Sequence, residues 1–265
     1  MRIEMTDSSA AAASPPLLSI TIAAYREAEN LTALLPAIQA AAAALTPNYE
    51  ILVIDTEQPL DDTPAICIAH GVRHIPRRGG SSYGDATRTA IAEARGTYLL
   101  NMDADGSHSP EYFRALWAER ERFDITIGSR YALGGHTENP AILIFLSYIV
   151  NLTFRIAFRI RARDVTNSFR LYRRDLLTPL HLQSDDFDIL EEILIKATLR
   201  RPPARIGEVP VTFRRRQAGE SKRDLVQFAF GYLKTLRRLR AFAASAKREA
   251  REEAATRAAK ETLAP

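Results

Sequence analysis

The sequence predicts an α/β fold, a doubly wound, mainly parallel sheet followed by a helical C-terminal tail. Three observations predict it. Apolar runs of strand length alternate with helical stretches through the first half of the chain. Two of those runs stop at an acid, Asp55 and Asp103, at the carboxyl ends of strands where such sheets bind ligands. The composition, 46% hydrophobic and 26% charged over 265 residues, is that of one large globular domain, with or without extensions.

The strand candidates are Leu17–Ala23, Tyr49–Asp55, Gly71–Pro76, Thr97–Met102 and Asp124–Ser129. Helices are expected between them at Leu31–Leu45, Thr63–His70, Asp85–Arg95 and Pro110–Arg122. The last begins well: Ser109 offers a capping hydroxyl, Pro110 suits the first helical position, and Glu111 puts an acid in the first turn. The second half is less regular. A long helix is expected over roughly Asn139–Ile160, short strands at Ser168–Tyr172 and Arg205–Phe213, and an acidic helix at Phe187–Leu199. Over Asp224–Phe242 the apolar residues Leu225, Phe228, Tyr232, Leu236 and Leu239 make one greasy helical face, with Lys234, Arg237, Arg238 and Arg240 largely off it. With no internal repeat and no clear linker, the expected organisation is a disordered leader over 1–16, one domain over 17–222 and a helical tail over 223–265.

The single cysteine, Cys67, rules out an internal disulfide and fits a reducing compartment. The leader carries early acids and lacks an apolar core segment, so it does not read as a secretory signal. The apolar run Ala141–Phe154 is shorter than the about 20 residues that span a bilayer, which leaves a core helix or one lying at a membrane surface. Net charge is +4, unevenly placed: residues 214–261 hold 14 Lys and Arg against 6 Asp and Glu. That basic segment suits anionic partners or is a solvated helix face. No recognised module or aromatic-interleaved basic patch points to nucleic acid, and none is expected as a partner.

The stretch "YLLNMDADGSHSP" places Asp103 and Asp105 one residue apart where a hydrophobic run stops. Residues i and i+2 of a strand share a face, and two carboxylates that close repel unless a cation lies between them. Hard oxygen ligands suit Mg²⁺ or Mn²⁺, and a solvated acidic turn is the alternative.

Six segments in order, "SITIAAYREAENL", "EILVIDTEQPLDDT", "GDATRTAIAEARGTYLLNMDADGSHSP", "IGSRY", "DVTNSFRLYRRDLL" and "IGEVPVTFRRRQAGESK", resemble the family 2 glycosyltransferases of the GT-A fold. Within that family they look most like polyprenyl-phosphate (dolichyl-phosphate) mannose synthases, and the resemblance covers about three quarters of the chain. It implies the GT-A, nucleotide-diphospho-sugar transferase form of the doubly wound sheet. It also implies an inverting transfer of a hexose, mannose favoured, from a nucleotide-sugar to a polyprenyl phosphate. Donor-binding positions would be Ala23, Tyr25, Glu27, Asp55, Gly84, Asp103, Ala104, Asp105 and Arg130. The metal, Mg²⁺ or Mn²⁺, would sit on Asp103 and Asp105, with Asp188, Glu191 or Glu192 as alternatives for a third ligand. Acceptor phosphate would meet Arg130, Ser168, Arg170, Arg216 and Lys222, and Asp105, Arg170, Arg216 and Lys222 are the catalytic candidates.

Two departures touch the nucleotide pocket. Asp55 is followed by Thr56 where the family usually has a second Asp, and Ala23-Ala24-Tyr25-Arg26-Glu27 replaces P-T-Y-N-E. The resemblance makes GDP-mannose the favoured donor, and these departures keep a UDP-sugar (glucose or N-acetylhexosamine) or a non-lipid acceptor as alternatives. A non-catalytic nucleotide-sugar-binding protein is the alternative from another class. The expected location is cytoplasmic, peripheral at the cytosolic face of an anionic membrane, through Ala141–Phe158 with Arg155, Arg159, Arg161 and Arg163 beside it.

Overall fold

The structure, a computed structural model, describes residues 14–215 and 231–248. Most of the leader, Arg216, Lys222, the start of the Asp224–Phe242 helix and residues 249–265 lie outside the described residues.

The chain runs β1 (Leu18–Ala23), α1 (Ala28–Ala43), β2 (Tyr49–Asp55), α2 (Thr63–Ala69), β3 (Arg73–Pro76), α3 (Tyr83–Glu93) and β4 (Tyr98–Asp103). Then come α4 (Phe113–Ala118), β5 (Ile125–Ser129), β6 (His136–Thr137), α5 (Ala141–Phe158), β7 (Arg170–Arg173) and α6 (Arg174–Leu177). It closes with α7 (Ile189–Leu199), β8 (Ile206–Pro210), β9 (Thr212–Phe213) and a helix over residues 231–248, α8.

Seven strands form one sheet in the order β3-β2-β1-β4-β7-β5-β8, and β6 pairs with β9 beside it. Every neighbour in the main sheet is parallel except β7, which runs antiparallel between β4 and β5. β4 and β5 therefore point the same way, and Asp103 and Ser129 end at the same edge. β1 sits between β2 and β4 and is buried on both faces, so its run is apolar with only small polar residues between. Leu18, Ile20 and Ile22 join Leu31, Leu35 and Ile38 of α1 in the main core. On the other face Thr21 donates to Asn101 Oδ1 at 3.1 Å. The turn into β4 presses on β1, and a Cβ on Gly96 would meet the Ser19 nitrogen at 2.6 Å.

Two expected helices differ in detail. Ser109 makes no side-chain cap, and the segment after it opens as a 3-10 turn at Pro110–Tyr112 before the short α4. The α3 helix starts earlier than expected, because Ser82 and Asp85 close a reciprocal capping box.

Burial removes one of the two readings left open for the apolar run, and the helix, Ala141–Phe158, is longer than the run that by itself is too short to span. Only Asn151 and Phe154 of α5 are buried, while Ile142, Phe145, Tyr148, Ile149 and Ile156 are exposed. This is not a core helix. By length and hydropathy it also passes as a candidate membrane span.

The α7 helix inverts the expectation of a solvated acidic surface. Glu191 and Glu192 are fully buried beneath α8, whose Tyr232 and Leu239 enter the same core cluster.

Candidate functional site

At the end of β4, Asp103 and Asp105 are both partly exposed. The strand runs one residue further than expected, so Asp103 closes it and Asp105 belongs to the turn. That turn is held by its own side chains. Asp105 Oδ1 accepts from the Ser107 N–H at 3.0 Å and from Ser107 Oγ at 2.5 Å. Gly106 between them has φ +77°, a conformation that favours glycine. Ala104 is buried, and Ala23 pairs in register with Asp103, so the first-strand end lies beside the carboxylate.

A five-residue segment before β7 ties the site together. Ser168 Oγ donates to Asp103 at 2.9 and 3.0 Å from its two oxygens. Asn167 Oδ1 meets His108 Nε2 at 3.0 Å. Asp164 takes Arg130 in a bidentate grip, 2.8 Å from Nε and 2.7 Å from Nη2, and also accepts from the Arg130 N–H at 2.9 Å. Thr166 Oγ1 adds a contact to Nη2 at 2.7 Å. Burial works against both charges of the pair. Their mutual attraction wins, holding the Asp164 carboxyl below the usual range and the Arg130 guanidinium above it. These contacts use Nε and Nη2 of Arg130, and Phe213 lies under the guanidinium at 5.5 Å. Asp164, Thr166 and His108 were not expected from the sequence. Arg130 lies 34 residues from Asp164 and 36 from Thr166, and His108 meets Asn167 59 residues on as well as the nearby Asp103 N–H.

Arg170 is corrected. It is fully buried between Asn101 and Ile127, and it donates to the carbonyls of Asn167 (2.6 Å), Val165 (2.7 Å) and Leu190 (2.8 Å). Its donors are satisfied by the backbone, so it shapes the 164–168 segment and does not present a fork to a ligand. Ser168 likewise faces Asp103.

The three alternatives for a third metal ligand are corrected too. Asp188 accepts from Thr235 Oγ1, and Glu191 Oε1 accepts from Tyr232 at 3.3 Å. Glu192 pairs with Lys196 at 2.7 Å and accepts from the N–H groups of Gln183 and Ser184. All three hold α8 or the 183–184 loop. Among the described residues no group of three or more His, Cys, Asp and Glu is placed to hold a metal. The chemistry of the pair still fits a hard divalent ion, since Asp103 and Asp105 offer oxygens alone and leave the rest of the shell to phosphate and water.

At the expected nucleotide end, Tyr25 is 38% exposed and Glu27 is buried, accepting from Asn30 at 2.6 Å. Asp55 is fully buried and turned inward. One oxygen accepts from the Thr56 N–H at 2.7 Å and the other meets His74 Nε2 at 3.0 Å, so it does not face outward to a base. Gly84 donates its N–H to Asp185 O at 2.6 Å and packs against the 184–185 backbone. Arg77, unexpected, is buried with its guanidinium on the carbonyls of Ala24, Ser81 and Ser82, while its Nε lacks a partner among the described residues.

The first residues after β9 lie beside the carboxylate turn. The Arg214 N–H donates to Ser107 O at 3.0 Å, Arg214 pairs with Glu111 at 3.0 Å, and the Arg215 N–H donates to Glu138 at 2.9 Å.

Comparison with known proteins identifies the family and the fold. A family model described as glycosyl transferase family 2 matches residues 19–179. The chain is 34% identical over 229 residues to a dolichol-phosphate mannosyltransferase of Pyrococcus furiosus, covering 84% of this chain and 63% of that protein. It is 32% identical to a polyprenol monophosphomannose synthase of Mycolicibacterium smegmatis, covering 77% of this chain and 79% of that one. Among solved structures it resembles glucosyl-3-phosphoglycerate synthase from Mycobacterium tuberculosis in complex with Mn²⁺, UDP and phosphoglyceric acid. There the TM-score is 0.65 at 18% identity, over 86% of this chain and 79% of that one, a likeness of fold.

Proposed function

Because the chain belongs to glycosyl transferase family 2, with the GT-A fold, we propose that it is an inverting transferase moving mannose from a nucleotide-sugar to a polyprenyl phosphate. The observation that carries this reading is the seam between α5 and Arg130. The inner side of α5 meets the site, with Ser147 Oγ 3.3 Å from Thr166 Oγ1 and 3.4 Å from Arg130 Nη2. Among the described residues the outer side of the same helix is uncovered and apolar. A molecule with an anionic head and a hydrocarbon tail matches both sides at once.

Asp103 and Asp105 would hold Mg²⁺ or Mn²⁺ beside the donor diphosphate, and that ion, when bound, would supply charge neutralisation for the leaving nucleoside diphosphate. Tyr25, Glu27 and the ends of β1 and β2 bound the nucleotide, with GDP-mannose the favoured donor. Arg130, and Arg216 and Lys222 from the segment after Arg215, receive the acceptor phosphate. A phosphate monoester is ionised near neutral pH, so its oxygen attacks the sugar without a strong base, and positioning and charge balance are what the protein must supply. α5 rests on the cytosolic face of an anionic membrane. A soluble phosphorylated acceptor, like the phosphoglyceric acid in the mycobacterial complex, would leave the apolar face of α5 without a role.

The test is a donor screen. GDP-mannose, UDP-glucose and UDP-N-acetylglucosamine, each radiolabelled in the sugar, are incubated with a short polyprenyl phosphate and Mn²⁺ or Mg²⁺. Label from GDP-mannose is expected in the organic phase. Label that stays aqueous with every donor would overturn the reading.

A further inference from the structure

We infer that His108 is a positioning residue for the metal-binding turn, holding Asp103 in place through its backbone without touching the metal itself. The inference rests on the metal role proposed for Asp103.

The hydrogen bonds determine the form of the ring. The Asp103 N–H donates to His108 Nδ1 at 3.0 Å, so Nδ1 carries a lone pair and the ring proton is on Nε2. Nε2–H then donates to Asn167 Oδ1 at 3.0 Å, and Asn167 Nδ2 donates to the Gly128 carbonyl. Each member of the relay has one consistent orientation. It links the last residue of β4 to the end of β5 across β7, which the intervening strand separates in the sheet. His108 is 1% exposed and Asn167 2% exposed, so water does not substitute for either bond. The ring stacks on Phe169 at 4.8 Å and meets the edge of Phe213 at 5.3 Å, which limits its rotation.

His108 is no ligand. Its Nδ1 lies 3.9 Å from Asp103 Oδ2, and the lone pair that a metal would need is taken by the Asp103 N–H. What it controls is where Asp103 starts. The carboxylate is fixed from two sides, by Ser168 at its oxygens and by His108 at its backbone. Loss of the second restraint lets the strand end shift while Ser168 still holds the head, so Asp103 moves relative to Asp105.

Three substitutions separate this role from packing. In His108→Asn the amide oxygen takes the place of Nδ1 and keeps an acceptor for Asp103. In His108→Gln the amide nitrogen takes the place of Nε2 and keeps the donor to Asn167. His108→Phe keeps the stacking and loses both bonds. Binding of Mn²⁺ in the presence of GDP, and separately UDP, is read from the free-ion paramagnetic resonance signal, with melting temperature measured alongside. The Gln and Phe variants are expected to weaken Mn²⁺ binding by about 10-fold or more, the scale of outer-sphere partners. The Asn variant is expected to stay within about threefold of the parent, the remainder of that scale. Should the Phe variant fail to fold, the Asn and Gln pair alone decides. Equal weakening in Asn and Gln, or no weakening in Gln, would overturn the assignment of His108. A parent protein that binds no Mn²⁺ with either nucleotide would overturn the metal reading and this inference with it.

Discussion

Ser168 Oγ stands 2.9 and 3.0 Å from the two carboxylate oxygens of Asp103, sharing one proton between them. Ser168 comes from the loop before β7 and Asp103 from the end of β4, so one hydroxyl joins two segments 65 residues apart. Removing it should free the carboxylate to rotate. Ser168→Ala is expected to melt several degrees below the parent, as for loss of one hydrogen bond to a charged group worth about 1.5–3 kcal/mol. Its half-saturating Mn²⁺ concentration should rise about 10-fold. Thermal melts and metal titration of turnover check both.

Asp105 is expected to make donor binding depend on the metal. Two carboxylates leave an octahedral ion incomplete until phosphate oxygens join it. In the parent, calorimetry should give tighter nucleoside diphosphate binding with Mn²⁺ than without. In Asp105→Ala the two affinities should converge. Metal-independent binding in the parent would remove Asp105 from this role.

Arg170→Lys is expected to be a stability variant first. A lysine offers three donors on a flexible stem and cannot reproduce a planar fork spread over the carbonyls of Val165, Asn167 and Leu190. Buried carbonyls left unpaired, with a buried charge poorly solvated, should cost about 2–4 kcal/mol. Denaturant unfolding measures that cost. Unchanged stability with lost turnover would return Arg170 to ligand binding.

What the chain reveals of itself follows from how local the cause is. Tyr49–Asp55 was legible to the residue, because an apolar run stopping at an acid needs only its own sequence. The Asp103–Asp105 turn was legible for the same reason: its bonds to Ser107 span two residues. Arg170 was not, since the carbonyls it serves are set by packing. The burial of Glu191 and Glu192 depends on Tyr232 and Arg238, more than forty residues later, and no acidic helix announces a partner that distant. Arg130 was found by motif, and its grip by Asp164 was missed because an ordinary acid in "RARDVTN" carries no signal by itself.

Glu191 gives a pH dependence with a definite sign. Burial pushes its carboxyl from 4.5 up to about 8, with Arg170 pulling the other way. Its Oε2 has no hydrogen-bond partner among the described residues, which suits a protonated acid. Between those values the unfolded chain releases the proton and the folded chain keeps it, so stability falls as pH rises from about 4.5 to about 8 and levels off above. Glu191→Gln keeps the shape and removes the titration. It should be more stable than the parent at pH 7.5, by about 1–3 kcal/mol, and should flatten that slope. Urea unfolding across this range, fitted for both proteins, is the check, and parallel slopes would exclude Glu191 as their source.

The outer face of α5 should carry membrane binding. Phe145, Ile149 and Ile156 are 59%, 45% and 71% exposed, in a helix whose inner side is pinned by Asn151 Oδ1 on the Val165 N–H at 2.6 Å. Insertion of that face into a headgroup region buries apolar surface worth about 25 cal/mol per Å², while each nearby Arg contributes at most about 1 kcal/mol from anionic lipid. The first contribution is insensitive to salt and the second is screened within a Debye length of about 8 Å at physiological ionic strength. Flotation with anionic vesicles should therefore show binding at low salt that falls, without vanishing, at high salt. Phe145→Ser with Ile149→Ser should lose the salt-resistant part and keep the rest. These exposed side chains make no hydrogen bond to Arg130 or Asp103, so turnover on a detergent-solubilised short acceptor should be retained while turnover on acceptor in vesicles falls. Equal losses on both acceptors would place the effect in the site, and no flotation at low salt would exclude α5 as a membrane surface.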